Sequence, residues 1–557
     1  MAEFFLDAHP MRTLRSILER ALAVALLAPA MAAAVQWSAP VLAVDPDIRA
    51  AIATITAEEI QGHTEILASD EFEGRAPASR GETLTVDYLV EQFQAIGLEP
   101  GNPDGTFRQG VPLVRTLVGV DSRAHVGEAT IELEMGIDIA GLAYGGAEFV
   151  ATDVPLVFVG HGIVTEDGSR NDYEGANVSG TIAVMLAVLP DDPKLARYTS
   201  WVLRANMAGE RGAVAAVFLW NEPSVPFSAL AAQFVLPRFA RPGSGPASIP
   251  IVLMNEESLD SVLRRTGASL KSVVTAMDED FRPVGLGVAL SLSISVEADE
   301  VVSNNVVGLV RGSDPEIADE LVVMTGHWDH LGRDPNLEGD QIYNGAEDNA
   351  TGIGVMLEIA EALAGLPTSP RRSVLFIATT AEEQGLLGAR HYVANPLYPL
   401  EKTVANINFD WSAPYGRTGD VVLNGPGNTT LEEVLAEAAA VLDRVVKPNP
   451  LPQDFYAGGS DHFPFAQEGI PALFAGSGFE LIDAPEGYGR QRHDEYFERH
   501  YHQVSDEIRD DFDYSGLESD GALFLLVALL VANADEPPHW KEGTQYPSFK
   551  AKHEARR

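Results

Sequence analysis

Apolar residues recur along this chain in two periods, and the change from one to the other marks its regions. Val86, Leu89, Val90, Phe93 and Ile96 return every three or four positions and stop at Gly97, which predicts a helix closed by a glycine cap. From about 150 to 265 the texture shortens. The runs Pro155 to Val159, Thr181 to Val188, Ala213 to Trp220 and Ile249 to Met254 read as buried strands, with helices expected near 194–209 and 256–265. The Pro- and Gly-rich stretch 237–250 and the polar stretch 297–305 read as connections.

From about 303 strands and helices alternate. Leu321 to Met324, Ser373 to Ala378, Thr403 to Phe409 and Pro471 to Ala475 are continuous apolar runs, interleaved with helical patterns over 350–364 and 430–446. Strands without polar alternation are buried on both faces, so the pattern predicts an α/β fold: a mixed, largely parallel sheet flanked by helices.

Length and ends refine this. At 557 residues the chain exceeds one core. Arg12, Arg15 and Arg20 precede the apolar run Ala21 to Ala34, with small residues suited to cleavage near Ala32, Ala34 and Ala43, so residues 1–43 read as an export signal. The run Ala522 to Ala532 falls short of the roughly 20 residues that span a bilayer and reads as a buried helix, which leaves no stable membrane span. The tail 541–557 reads as a surface-laid extension. There is no Cys, which excludes disulfide scaffolds and thiolate metal sites, and 81 acidic against 38 basic residues give a net charge of −43, which excludes nucleic acid as a partner. An exported, periplasmic or secreted protein fits all of this.

In open α/β sheets ligands sit beyond the carboxyl ends of the strands. Here those ends carry metal-competent groups: His327, Asp329 and His330 after the first strand, Glu382 and Glu383 after the next, Asp410 after the third. Glu347-Asp348-Asn349 opens the intervening helix, and Tyr501-His502 precedes Asp506. Taken singly, each reads equally well as a cap, a turn residue or a solvated charge. Together, two imidazoles and three carboxylates suffice for two divalent ions if one carboxylate, best placed at Asp348, bridges them. Asp329 and Asp506 would then accept the second ring N–H of His327 and His502. Nitrogen and oxygen donors without thiolate point to two zinc ions, with manganese or cobalt as alternatives.

The runs Gly326–Gly332 (GHWDHLG), Gly345–Gly352 (GAEDNATG), Ala381–Gly385 (AEEQG) and Ser460–Phe465 (SDHFPF), with Leu67–Arg75 and Tyr501-His502, resemble the co-catalytic zinc aminopeptidases of the bacterial leucine aminopeptidase and aminopeptidase S type. The resemblance implies metal ligands at His327, Asp348, Glu383, Asp410 and His502, with Glu382 as general base. It also implies peptide substrates with free N-termini, and an oxyanion donor at Tyr501 unless that ring only supports His502. The stretch from Asn171 through Ala213 is similar to a protease-associated domain, which divides the chain into an N-terminal part of the catalytic domain (44–140), a β-rich insert (141–290) and the catalytic domain proper (291–540). Two positions depart from the pattern: Glu347 stands where an Asp is common, and Gly459 where some relatives carry Arg. A carboxypeptidase or dipeptidase of the glutamate carboxypeptidase type, a glutaminyl cyclase of similar fold, and a non-catalytic relative on the same scaffold are the rival readings. The first needs a basic cluster that the motifs lack, the second would leave ligands unused, and the third predicts missing ligands.

Overall fold

The computed structural model describes residues 45–552, apart from 143–147, 166, 176, 191–194, 196–197, 222–225, 244–247, 276–280, 411, 426, 452–458, 545, 547 and 550. The expected export signal lies outside the described residues.

Strands Leu321–His327, Ser373–Thr379 and Thr403–Asn408 are buried at every position, as their unbroken apolar character requires. Leu321–His327 lies between the other two and runs parallel to both, and Ala472–Ser477 continues the parallel set beyond Thr403–Asn408. Antiparallel neighbours close each side: Asp420–Leu423 on one, the end of Val284–Val310 on the other. The sheet is therefore mixed and largely parallel.

Three helices cover one face: Ala57–Leu67, Thr351–Ala364 and Ser515–Asn533 pack on one another. Ser515–Asn533 is long and apolar enough to cross a membrane, yet 78% of its most apolar window is buried inside the protein. It is a core helix. On the other face Tyr392 and Phe465, from helices Leu387–Ala394 and His462–Glu468, join the strand residues Val323, Leu375 and Ile377 in one apolar cluster.

The middle of the chain builds further strands onto the same sheet. Phe149–Phe158, Ile182–Leu186, Ala215–Trp220 and Ile251–Asn255 are parallel neighbours, with one apolar cluster centred on Phe158 and Val217 and another on Met185 and Phe218. Helices Trp201–Gly209 and Glu256–Arg264 fall where the pattern places them. Three expectations need correction. The stretch 237–250, read as a connection, contains the short strand Arg238–Ala240, which pairs antiparallel with Val114–Thr116. The stretch 297–305 is no connection but the interior of the 27-residue strand Val284–Val310, paired residue for residue with Arg108–Val126. Backbone pairing satisfies its amides whatever the side chains, and Glu297, Asp299 and Glu300 are exposed. The helix expected over 430–446 ends at Val441, and Val445–Pro448 pairs as an edge strand after Asp443 turns with φ 55°.

Candidate metal centre

The topology delivers five side chains to one point beyond the carboxyl edge of the parallel strands. His327 ends its strand, Asp410 follows Asn408 by two residues, and Glu383 follows the strand Ser373–Thr379. Asp348 lies in the turn Ala346–Ala350 that opens helix Thr351–Ala364, and His502 follows helix Tyr488–Arg499.

They form two groups that share one carboxylate. His327 Nε2 is 3.0 Å from Asp410 Oδ1 and 3.3 Å from Asp348 Oδ1. His502 Nε2 is 3.0 Å from Glu383 Oε2 and 3.3 Å from Asp348 Oδ2. Donors about 2.0–2.1 Å from a tetrahedral ion lie roughly 3.3 Å apart, so these spacings are those of ligands around a common cation. The donor set of imidazole and carboxylate, without thiolate, fits zinc. Ligand atoms of His327, Asp348 and Glu383 all fall within 4.8 Å of one another.

The charges at this point are mutually dependent. Burial pushes the Glu383 carboxyl up, but His502 and the neighbouring imidazoles outweigh it and bring it down to about 2. Burial lowers His502, and Glu383 and Asp348 more than reverse this, raising it to about 10. Glu382, also buried and crowded by Asp410, Glu383 and Asp461, is held well above the ordinary carboxylate range against the pull of His327. Such a concentration of buried carboxylate calls for a compensating cation.

Around the five residues stands a supporting shell that differs in part from the expected one. His327 Nδ1 lies 3.1 Å from the backbone carbonyl of Asp329, and the nearer carboxylate oxygen is 4.0 Å away. The Asp329 carboxylate instead accepts the backbone N–H of Glu382 at 3.0 Å, tying the first strand end to the second. Asp506 accepts the backbone N–H groups of Glu347 and Asp348 and the hydroxyl of Tyr496, so the hydrogen bonds described for it hold the turn that presents Asp348. Tyr501 stacks on His502 with ring centroids 3.7 Å apart.

Three contributors lie in the recognised runs, but residue spacing does not disclose what they do. His330, fully buried, places Nδ1 2.7 Å from Glu383 Oε1. Arg75, also buried, donates to the carbonyls of Leu67, Trp328, Asn344 and Gly345, clamping together the loops that bear His327 and Asp348. Gly345, at φ 60°, admits these loops to contact, since a Cβ there would meet Asp348 O at 2.3 Å and the His330 ring at 2.6 Å. Only the tertiary fold reveals what these three touch.

Residues 305–528 match the sequence pattern described as Peptidase family M28. Aminopeptidase YwaD of Bacillus subtilis is 31% identical over 174 residues, 30% of this chain and 34% of its own. A probable leucine aminopeptidase 2 of Aspergillus oryzae is 29% identical over 249 residues, 42% of this chain and 46% of its own. The chain thus spans between a third and a half of these curated relatives. Among solved structures, an aminopeptidase from Aneurinibacillus sp. strain AM-1 superposes with a TM-score of 0.58 at 18% identity, over 90% of this chain and 99% of that one. BSAP, a zinc aminopeptidase from Bacillus subtilis, gives 0.51 at 19% identity, over 85% and 94%. At such identities the two structures share the fold.

Proposed function

We propose, from the match of residues 305–528 to the pattern of peptidase family M28, that this protein is an exported zinc aminopeptidase holding two ions. His327 and Asp410 would hold one ion, Glu383 and His502 the other, and Asp348 would bridge them. The observation that carries this reading is the shared carboxylate, whose two oxygens face different imidazoles at 3.3 Å each. When bound, the ions lower the pKa of a water and polarise the scissile carbonyl.

The chain's own groups do the rest. Glu382 follows the Ser373–Thr379 strand and lines the same cavity as His327, Asp348 and Asp410, where it takes a proton from the attacking water and returns it to the leaving amine. Asp329 anchors its backbone. Tyr501, lining the cavity beside His502, would donate to the developing oxyanion. The carboxylates left facing the cavity favour a protonated α-amino group, which suits substrates with free N-termini. Among the described residues no Lys or Arg lines this cavity, which argues against a carboxypeptidase that must hold a substrate carboxylate. The segment 141–290 is, on this reading, a protease-associated insert that extends the sheet.

The test is Glu382→Gln. Its kcat should fall at least 100-fold on peptides with free N-termini, while zinc content, measured by mass spectrometry of the metal, stays at wild-type level. Retained turnover overturns the base assignment. Equal cleavage of N-acetylated and free peptides by the unaltered protein overturns the aminopeptidase reading.

A further inference from the structure

The cavity that holds the cluster does not end there. The whole cavity, the space over the cluster included, measures about 110 Å³, several times what one water needs. One wall is a run of stacked rings that begins at His502. Tyr501 lies on His502 at 3.7 Å, Phe497 on Tyr501 at 4.8 Å, and His493 on Phe497 at 4.5 Å, with interplanar angles of 23°, 29° and 31°. Phe479 then meets His493 edge-on at 5.3 Å. Helix Tyr488–Arg499 makes this wall by turning Gly489, His493, Tyr496 and Phe497 to one side, the spacing of a single helical face. Burial holds His493 down at about 4, so it stands in the stack as a neutral ring. The rest of the lining includes Ser412, Ala413, Gly459 and Gly478, all small.

Charge is arranged against ionic occupants. Among the described residues, apart from the cluster and Glu382, the carboxylate on the lining is Glu347, and it is already engaged by the Tyr415 hydroxyl and by Arg509 Nη2 at 3.3 Å. The Arg492 guanidinium lies 4.7 Å from the centre of the Tyr415 ring. A lysine side chain entering here would find its counter-charge taken and two guanidiniums close by. Among the described residues a carboxylate would find no cation on the lining, and the two guanidiniums behind it are already paired, Arg492 with Asp511 and Arg509 with Glu347. Either would be desolvated without a partner.

We propose that this slot seats the side chain of the substrate's N-terminal residue and selects an aromatic ring (Phe, Tyr or Trp) over aliphatic and charged side chains. The inference rests on the aminopeptidase reading and adds specificity to it: ring-on-ring geometry favours an aromatic occupant beyond the area it buries.

The test is a panel of dipeptides X-Ala, with X as Phe, Tyr, Leu, Ala, Lys and Glu, assayed by kcat/KM on the zinc-loaded full chain. Phe-Ala should exceed Leu-Ala by about threefold to tenfold, and Lys-Ala and Glu-Ala by more than about 100-fold. In Phe497→Ala, kcat/KM for Phe-Ala should fall at least tenfold more than for Ala-Ala. Leu-Ala equal to or better than Phe-Ala, or Lys-Ala or Glu-Ala within tenfold of Phe-Ala, overturns the slot and leaves the aminopeptidase reading standing. Failure to cleave any member of the panel overturns the aminopeptidase reading, and the slot with it.

Discussion

Asp348 and Arg75 show how unevenly the sequence discloses its residues. Asp348 was legible only in company: a carboxylate at a helix start most often serves as a cap, and the metal-competent strand ends around it turn the reading towards a ligand. Arg75 closes one of the recognised runs, but its role was not legible: a buried guanidinium donating to four carbonyls from three separate segments has no spacing signature. Burial lowers its pKa to about 10 against the pull of Asp506 and Asp348, so it remains a cation that offsets part of the carboxylate charge. Arg75→Met should therefore strand those carbonyls and lower stability by about 3–5 kcal/mol, measured by urea denaturation. It should also weaken zinc binding in a titration, since the loops carrying His327 and Asp348 lose their clamp. A loss below about 1 kcal/mol with unchanged zinc affinity would contradict this account. Asp329 and Asp506 teach a related lesson. Both were recognised as supporting residues, but which atoms they hold depends on where the backbone passes, and the described bonds of Asp506 go to amides of the Asp348 turn.

At the level of elements, buried strands were the most readable feature and polar strands the least. The stretch 297–305 reads as a loop because its side chains are polar, yet pairing with Arg108–Val126 makes it strand. Long-range pairing decides, and no local window contains the partner. The segment after helix Phe227–Val235 offers another case: Leu236 packs with Leu331 and Tyr343, and Phe239 with Ala381 and Leu387, so this arm braces both rims of the cluster. The loop following Phe149–Phe158 carries a testable charge arrangement. His161 Nδ1 lies 2.7 Å from Arg170 Nη2, and burial, then Arg170, push its pKa down to about 4 despite Asp172, with Arg204 acting in the same direction as Arg170. Between pH 6.5 and about 4 the unfolded chain binds a proton there that the folded chain does not. This contribution is thus fully present above pH 6.5 and is lost as pH falls towards 4, by up to about 3 kcal/mol. Denaturant titrations across that range should show a shallower pH slope for His161→Gln than for the unaltered protein. Identical slopes would contradict it.

For the whole molecule, the −43 net charge and the carboxylate cluster are separate matters. Most of the 81 acids have no part in the centre, whereas the few at the strand ends are buried together and repel one another unless a cation is bound. Dialysis against a chelator should accordingly lower the melting temperature by several degrees, and added zinc should restore it, since a ligand at about 1,000 times its Kd contributes about 4 kcal/mol. An unchanged melting curve would contradict the metal centre. The sequence by itself determined the α/β class, the strand ends that matter and the kinds of donor they carry, because burial on both sheet faces and metal-competent chemistry are written in residue type and period. Only the tertiary structure decided which oxygen faces which imidazole, which amides Asp506 holds, and that a helix face of Gly489, His493, Tyr496 and Phe497 walls the cavity. Those facts depend on side chains meeting across hundreds of residues, and contact at that range is set by packing rather than by any local pattern.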